Sequence, residues 1–158
     1  MKRVLFVCLG NICRSPAAEA VFLHLLAHTG NEGRFVVDSA GTGSWHVGKL
    51  ADRRMRDAAS RRGIVLSSRA RQLEVGDLSR FDHILTMDAA NLAAVNSLAR
   101  QAGLAKAQQA RIEPLLRYCS RHEAVEVPDP YYGGEEGFEH VLDLLDDACT
   151  GLLHALDS

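Results

Sequence analysis

The fold is decided by residues 4–16, which run VLFVCLGNICRSP. Residues 3–7 are a short run rich in Val, Leu and Phe, which is typical of a strand buried on both faces of a parallel sheet. Ser15 followed by Pro16 is typical of an N-cap and a first helical position, and apolar residues then recur at helical spacing to about Thr29. The sequence therefore predicts a strand, a tightly curled loop over residues 8–15 and a helix.

Short apolar runs and amphipathic stretches alternate along the rest of the chain. We predict further strands over residues 35–39, 81–87 and 112–118, and helices over residues 52–62, 89–102 and 138–156. Strands that alternate with helices favour an α/β fold with an open, doubly wound, four-stranded parallel sheet and helices on both faces, of flavodoxin-like topology. We expect residues 1–158 to form a single domain.

The composition excludes several classes of protein. Of the 158 residues, 47% are hydrophobic and 24% are charged, which is the profile of a globular domain rather than a disordered or fibrous chain. The sequence lacks an apolar run of the roughly 18 residues that a membrane helix needs, and we predict no signal peptide. The net charge of -2 gives no indication of nucleic-acid or membrane binding. We therefore expect a cytoplasmic protein whose four cysteines are reduced.

The loop over residues 8–15 combines groups that bind an anion. It follows the first strand, and ligands of open α/β sheets bind beyond the carboxyl ends of the strands. Gly10 and Asn11 tolerate the left-handed backbone angles that turn successive N–H groups toward an anion, and the helix behind them adds a positive dipole end. Arg14 offers a bidentate fork for oxyanion oxygens. We predict a phosphate-binding loop formed by Leu9, Gly10, Asn11, Ile12, Cys13, Arg14 and Ser15.

Cys8 is the candidate nucleophile of this loop. Cysteines at helix N-termini near a cation have pKa values of roughly 3.5–7.5, so we expect Cys8 to be nucleophilic at neutral pH. One alternative is a buried small apolar side chain. Another is a zinc site built from Cys8, Cys13, Cys119 and His122. Catalysis is favoured, because a zinc ion would lie beside Arg14 and would leave the helix terminus without a ligand.

Three segments together resemble the low molecular weight protein tyrosine phosphatases: residues 4–16, DSAGT at 38–42 and DPYYGG at 129–134. The likeness spans nearly the whole chain and includes residues 45–46, 69–72 and 87–88. The resemblance implies a protein tyrosine phosphatase that hydrolyses phosphotyrosine and aryl phosphates. It also implies a phosphocysteine intermediate on Cys8, phosphate bound by Arg14 and the loop amides, and no cofactor or metal.

The same resemblance assigns roles to further residues. Asp129, which by local sequence alone indicates the start of a turn, matches the general acid that protonates the leaving tyrosine, a phenol with a pKa of about 10. Once ionised, this residue would activate water. Asn11, Ser15 and Ser39 match the residues that support the loop through hydrogen bonds. The sequence departs from a common pattern at Ser68, where many members of the family carry His.

The resemblance also predicts a substrate pocket and a redox partner. The side chains expected to line the slot for the phenyl ring are Ile12, Trp45, Tyr131 and Tyr132. Cys13 matches a cysteine that bridges reversibly to the nucleophile under oxidation, which protects a sulfenic acid from further oxidation. Cys119 and Cys149 are interpreted as structural.

The expected partner is a phosphotyrosine-containing protein, such as the bacterial tyrosine kinases on which bacterial relatives act. Phosphate, sulfate and vanadate are expected to bind in the loop, whereas nucleic acid and membranes are not expected to bind. An Arg-rich cluster formed by Arg53, Arg54 and Arg56 either recognises acidic peptides or, as we prefer, is a solvated helix face.

Three other classes share part of this pattern. Arsenate reductases of similar fold also carry a Cys-x5-Arg loop, but they relay a disulfide through further cysteines and do not need the DPYY segment. Phosphoarginine phosphatases typically carry Thr at the position of Ile12. A phosphotyrosine-binding module would use the same anion site without a nucleophile and an acid. The pairing of Cys8 with Asp129 therefore favours the tyrosine phosphatase.

Overall fold

A computed structural model describes residues 1–105, 108–131 and 133–157. Its sheet consists of four parallel strands, β1 (Lys2–Cys8), β2 (Phe35–Gly41), β3 (His83–Thr86) and β4 (Arg111–Pro114), in the order β2-β1-β3-β4. Strand β1 pairs with β2 on one side and β3 on the other, and its last residue, Cys8, lies opposite Gly41. The predicted four-stranded parallel sheet is confirmed, and Cys8 lies at its carboxyl edge.

The described residues form five α-helices beside the sheet: α1 (Arg14–His28), α2 (Arg53–Ser60), α3 (Asp77–Arg80), α4 (Ala89–Ala102) and α5 (Glu135–Leu156). Successive side chains of β1 point to opposite faces, so Phe6 joins the core under α1 and α5, whereas Leu5 joins a second core with Val95 of α4. Helices therefore cover both faces, as predicted. Among the described residues, no helix combines the length and the apolar character needed to span a bilayer.

The start of α1 differs from the prediction. Cys13, rather than Ser15, occupies the N-cap position and makes no side-chain capping bond, so Pro16 is the third helical residue. Pro16 is tolerated there because the first N–H groups of a helix have no intrahelical acceptor. Ser15 does not cap the helix because its hydroxyl is bound within the preceding loop. The other end of α1 matches the prediction, with Gly30 in the left-handed region at φ 72°.

The predicted strand over residues 112–118 is wrong in its second half. Strand β4 ends at Pro114, and residues 115–118 form a 3-10 turn. Proline has no N–H to donate to the ladder, so the pairing ends there. The short helix α3 was not predicted, and α5 begins three residues before the predicted start at Phe138.

Candidate active site

The loop over residues 8–15 joins the end of β1 to the start of α1 in a tight curl. Asn11 has a φ of 57°, and no other non-glycine residue in the described part of the chain has a positive φ. Its backbone N–H donates to the Cys8 Sγ over 3.3 Å. Gly10, which also tolerates left-handed angles, does not adopt them. Its missing side chain instead gives room to His46, whose Cδ2 would lie 3.0 Å from a Cβ.

The sulfur of Cys8 is buried and shares a second hydrogen bond with the Ser15 hydroxyl. The two atoms, Sγ and Oγ, are 3.0 Å apart. The Asn11 side-chain amide donates to the same Ser15 Oγ over 2.8 Å, so the Ser15 hydrogen points away from that amide, where its acceptors are the sulfur and, at 3.4 Å, the carbonyl of Ala40. Asn11 and Ser15 therefore hold the Cys8 sulfur in place within the curl of the loop.

The predicted supporting residues form one network with two more side chains. Asn11 also donates to Ser39 Oγ over 3.0 Å, and this hydroxyl donates to Glu19 over 2.6 Å. Burial raises the pKa of the Glu19 carboxyl, and hydrogen bonds from the hydroxyls of Ser39 and Ser68 oppose that rise. Ser68, at the position where the sequence departs from the family pattern, therefore still contacts the network through Glu19. Sequence analysis missed Glu19, although it lies one turn beyond Ser15 on the same helix.

Arg14 is buried with its guanidinium fixed by two acceptors. Its Nη1 donates to Asp88 Oδ2 over 2.6 Å and to the carbonyl of Val127 over 3.2 Å. Burial alone lowers the pKa of Arg14, but the hydrogen bond to Asp88 and the surrounding negative groups outweigh burial and raise it. Asp88, which sequence analysis did not assign to the site, also caps α4 by accepting from the N–H of Asn91. Its position at the carboxyl end of β3 was the available signal for a role in the site.

Asp129 faces the same space as Arg14. One carboxylate oxygen, Oδ2, lies 3.7 Å from Arg14 Nη2, and the other accepts the backbone N–H of Tyr131 over 3.0 Å. The Asp129 side chain is 45% exposed, so it remains accessible to a substrate. The structure thus brings together the three residues predicted to be catalytic, although the segment of Asp129 is remote from the loop in sequence.

These groups surround a cavity of about 430 Å³. The predicted pocket residues Ile12, Trp45 and Tyr131 lie in its wall, and Tyr132 lies outside the described residues. Apolar and aromatic walls around a charged base suit a phosphate attached to a ring. The full set of lining residues is Cys8, Leu9, Gly10, Ile12, Cys13, Arg14, Trp45, His46, Asp129 and Tyr131.

All four cysteines are free thiols, and two of them, Cys8 and Cys13, share the cavity wall. Burial, followed by the charge of Asp52, raises the pKa of the Cys13 thiol, so Cys13 is protonated at neutral pH. Within the described residues, no three His, Cys, Asp or Glu side chains are placed to hold a metal ion. The zinc alternative is therefore wrong, and His122 instead contacts Asp147 at 2.8 Å.

Comparison with known proteins gives the family. The model of the low molecular weight phosphotyrosine protein phosphatases matches residues 3–158. The chain belongs to this family. A protein of Synechocystis sp. whose name assigns it to the same family is 47% identical over 154 residues, which cover 98% of this phosphatase and 96% of the relative. The predicted family is confirmed, and Cys8 and Arg14 form its Cys-x5-Arg motif.

Solved structures agree with the fold of this phosphatase. A protein tyrosine phosphatase of Entamoeba histolytica, with Hepes in its active site, superimposes with a TM-score of 0.93 at 40% identity, over 99% of this chain and 97% of that one. DARP, the drosophila arginine phosphatase, superimposes with a TM-score of 0.91 at 34% identity, over 100% and 99% of the two chains.

The Arg-rich cluster of this phosphatase is only partly a solvated helix face. Arg53 fits that interpretation, because its side chain is 86% exposed and lies 3.8 Å from the carboxylate of Asp57, one turn along the same helix. Arg56 donates to the carbonyl of Ala51 over 2.9 Å. Arg54 instead donates to the carbonyl of Tyr131, in the segment of Asp129, a contact that no sequence pattern predicted.

Proposed function

We propose that this phosphatase hydrolyses phosphotyrosine in proteins in two steps, through a phosphocysteine on Cys8. The observation that supports this proposal best is the shared cavity, in which the Cys8 thiol, the Arg14 guanidinium and the Asp129 carboxyl face one space. A nucleophile, an oxyanion-binding cation and an exposed acid are the groups that such a reaction needs.

In the first step the Cys8 thiolate attacks phosphorus in line with the tyrosine oxygen. The S–P bond forms as the P–O bond breaks, and Asp129 gives its proton to the departing oxygen. Arg14 and the N–H groups of the loop stabilise the equatorial oxygens, and the rigid position of Arg14 between Asp88 and Val127 means that little reorganisation is needed. This step yields the dephosphorylated tyrosine side chain and the phosphocysteine intermediate.

In the second step Asp129, now a carboxylate, accepts a proton from a water molecule whose oxygen attacks phosphorus. The S–P bond breaks, inorganic phosphate leaves and the thiolate is restored. The hydrogen bond between Ser15 and Cys8 stabilises the sulfur as it departs with its electron pair. The acid of the first step is thus the base of the second.

The cavity wall supports an aromatic substrate. The ring of phosphotyrosine would pack between Ile12 and Tyr131 while its phosphate reaches Cys8, whereas phosphoserine has no ring to pack there. We propose a tyrosine-phosphorylated protein as the substrate, a bacterial tyrosine kinase being one such protein, with phosphate, sulfate and vanadate as ligands of the loop. Phosphoarginine is a second candidate, because DARP shares the fold. The apolar Ile12 beside the phosphate favours the aryl ring.

The test is a metal-free assay of three peptides that differ only in carrying phosphotyrosine, phosphoserine or phosphoarginine. We expect phosphotyrosine to be hydrolysed fastest, Cys8→Ser to abolish turnover, and Asp129→Asn to lower turnover of phosphotyrosine by roughly 10²–10⁴-fold while it spares phosphate binding. A preference for phosphoarginine would transfer the proposal to that substrate. Retained activity of Cys8→Ser would exclude the covalent intermediate.

We also propose that Cys13 protects the nucleophile from oxidation. When a peroxide oxidises the Cys8 thiolate to a sulfenic acid, the neighbouring Cys13 sulfur would displace water from it and form a disulfide that an external thiol reduces again. The protonated state of Cys13 supports this order of events, because it leaves Cys8 as the thiol that reacts first with peroxide.

A further inference from the structure

Arg54, on α2, contacts both the backbone and the ring of Tyr131. Its Nη2 donates to the Tyr131 carbonyl oxygen over 2.6 Å. The centre of the guanidinium lies 5.5 Å from the centroid of the Tyr131 ring and 4.8 Å from that of Phe138, which is within the range of cation–π contacts. Arg54 therefore links Tyr131 to helices α2 and α5.

The same peptide segment holds the carboxyl of Asp129. The N–H of Tyr131 donates to Asp129 Oδ1 over 3.0 Å, while its carbonyl accepts from Arg54. Arg54 and Asp129 thus bind opposite ends of one residue. A displacement of Tyr131 would carry the Asp129 carboxyl with it, because that carboxyl is half-exposed and its 3.7 Å approach to Arg14 is longer than a hydrogen bond.

Arg54 is in turn anchored to the phosphate-binding loop. Its Nε and Nη2 each donate over 3.2 Å to an oxygen of Asp52, and the backbone N–H of Asp52 donates to the carbonyl of Ile12 over 2.7 Å. Burial raises the pKa of Asp52, but hydrogen bonds from Arg54 outweigh it and lower the pKa, so the pair stays charged at neutral pH. Contacts therefore run without a gap from Ile12 through Arg54 to Asp129.

We propose that Arg54 is a positioning residue for the general acid: it fixes the segment of Asp129 at a set distance from the loop that carries Cys8. This inference rests on the proposed role of Asp129. Proton transfer needs the acid within hydrogen-bond reach of the leaving oxygen, and a displacement of about 1 Å can cost about 100-fold in rate. Loss of Arg54 should therefore slow the reaction most where the leaving group most needs a proton.

The test compares kcat/KM for a series of aryl phosphates, from 2,4-dinitrophenyl phosphate, whose leaving group is weakly basic, to phenyl phosphate, whose leaving group resembles tyrosine. This parameter reports formation of the phosphocysteine whichever step limits turnover. We expect Arg54→Gln to lower kcat/KM for phenyl phosphate by roughly 10- to 100-fold and that for the dinitrophenyl ester by less than about threefold. The matched control is Arg53→Gln, next to it on α2, which should change neither value.

Two further variants keep the test decisive. In an Asp129→Asn background, Arg54→Gln should cause no further loss with phenyl phosphate, because the acid is already absent. Arg54→Lys, which retains a cation but not the fork to Asp52 and Tyr131, should give an intermediate dependence on the leaving group and serves alone if the Gln variant does not fold. Inhibition by inorganic phosphate should be unchanged in both Arg54 variants, since their phosphate-binding loop is intact.

The outcomes separate this inference from the proposed function. Suppose that Asp129→Asn makes kcat/KM depend more steeply on the basicity of the leaving group, as the proposed function requires. An equal loss of kcat/KM for all leaving groups, or no loss, in the Arg54 variants would then overturn the positioning role. If Asp129→Asn itself leaves the leaving-group dependence of kcat/KM unchanged, Asp129 is not the general acid, and that step of the proposed function fails.

Discussion

Asp88 shows how one carboxylate serves both the site and the fold. Its Oδ2 accepts from Arg14 over 2.6 Å, and its Oδ1 accepts from the N–H of Asn91 over 2.8 Å and caps α4. The Asn91 side chain accepts in return from the Asp88 N–H, which completes a capping box. The orientation of Arg14 toward the cavity therefore depends on the start of a helix on the far side of the sheet.

We expect Asp88→Asn to weaken phosphate binding without unfolding α4. The amide keeps an oxygen to accept from Asn91 but loses the charge that strengthens the bond to Arg14. Hydrogen bonds to charged groups contribute about 1.5–3 kcal/mol, so the inhibition constant of inorganic phosphate should rise by about tenfold or more. The control is Asn91→Ala, which removes only the reciprocal cap and should affect thermal stability rather than inhibition. An unchanged inhibition constant in Asp88→Asn would show that Arg14 does not need this partner.

The residues that sequence analysis predicted well share one short segment. Cys8 and Arg14 flank a single loop, so their chemistry is visible in the spacing alone. Glu19, Asp88 and Arg54 act through partners 20, 74 and 77 residues away, and no local pattern indicates such contacts. Asp129 was found only through the family resemblance, because the sequence around it is also typical of a turn.

Helix α5 holds the segment over residues 120–122 through one buried carboxylate. Asp147 is 1% exposed, and it accepts from the backbone N–H groups of Ser120 and Arg121 at 3.0 and 2.9 Å and contacts His122 Nδ1 at 2.8 Å. Burial alone raises the pKa of Asp147, but the hydrogen bonds outweigh it and lower the pKa well below its usual range. The segment over residues 120–122 is therefore held against α5 by the charged carboxylate of Asp147 and not by apolar packing alone.

We expect Asp147→Asn to lower the free energy of unfolding at pH 7 by about 1.5–3 kcal/mol, since its bonds are to a charged group. A carboxyl whose pKa is lowered by folding stabilises the protein above its unfolded pKa of about 3.9 and loses that effect as the pH falls toward the folded value. The difference between parent and variant should therefore shrink below about pH 4, as urea unfolding at several pH values would show. Asp146→Asn, the exposed neighbour, should cause a much smaller change. A difference that does not vary with pH would contradict the assignment.

Two elements show which boundaries a sequence can predict. Helix α4 was predicted closely because both ends are set locally, by the Asp88 cap and by Gly103 in the left-handed region. The end of β4 was missed because Leu115 and Leu116 continue an apolar, strand-like pattern. In the structure they are buried in a 3-10 turn that packs against α5, and this tertiary contact is not encoded in the local pattern.

The two faces of the sheet are unequally packed. The core beneath α1 and α5 contains the aromatic rings of Phe6, Phe22 and Phe138, all buried. The core beneath α4 has fewer buried residues than the core beneath α1 and α5, and all of them are aliphatic. Stabilisation by burial grows with the apolar area removed from water, so opening the α4 side exposes less area and costs less free energy.

Hydrogen exchange should therefore be faster in α4 than in α1 and α5 under native conditions, as mass spectrometry of peptides from each helix would show. Bound phosphate should change this pattern at one point. Because Arg14 contacts both the anion site and the Asp88 cap, phosphate should slow exchange of the amides in the first turn of α4 and leave the C-terminal half of α5 unchanged. Equal protection of all three helices would show that the sheet opens as one unit. A phosphate effect spread evenly over the chain would show that binding stabilises the whole molecule rather than the link between Arg14 and α4.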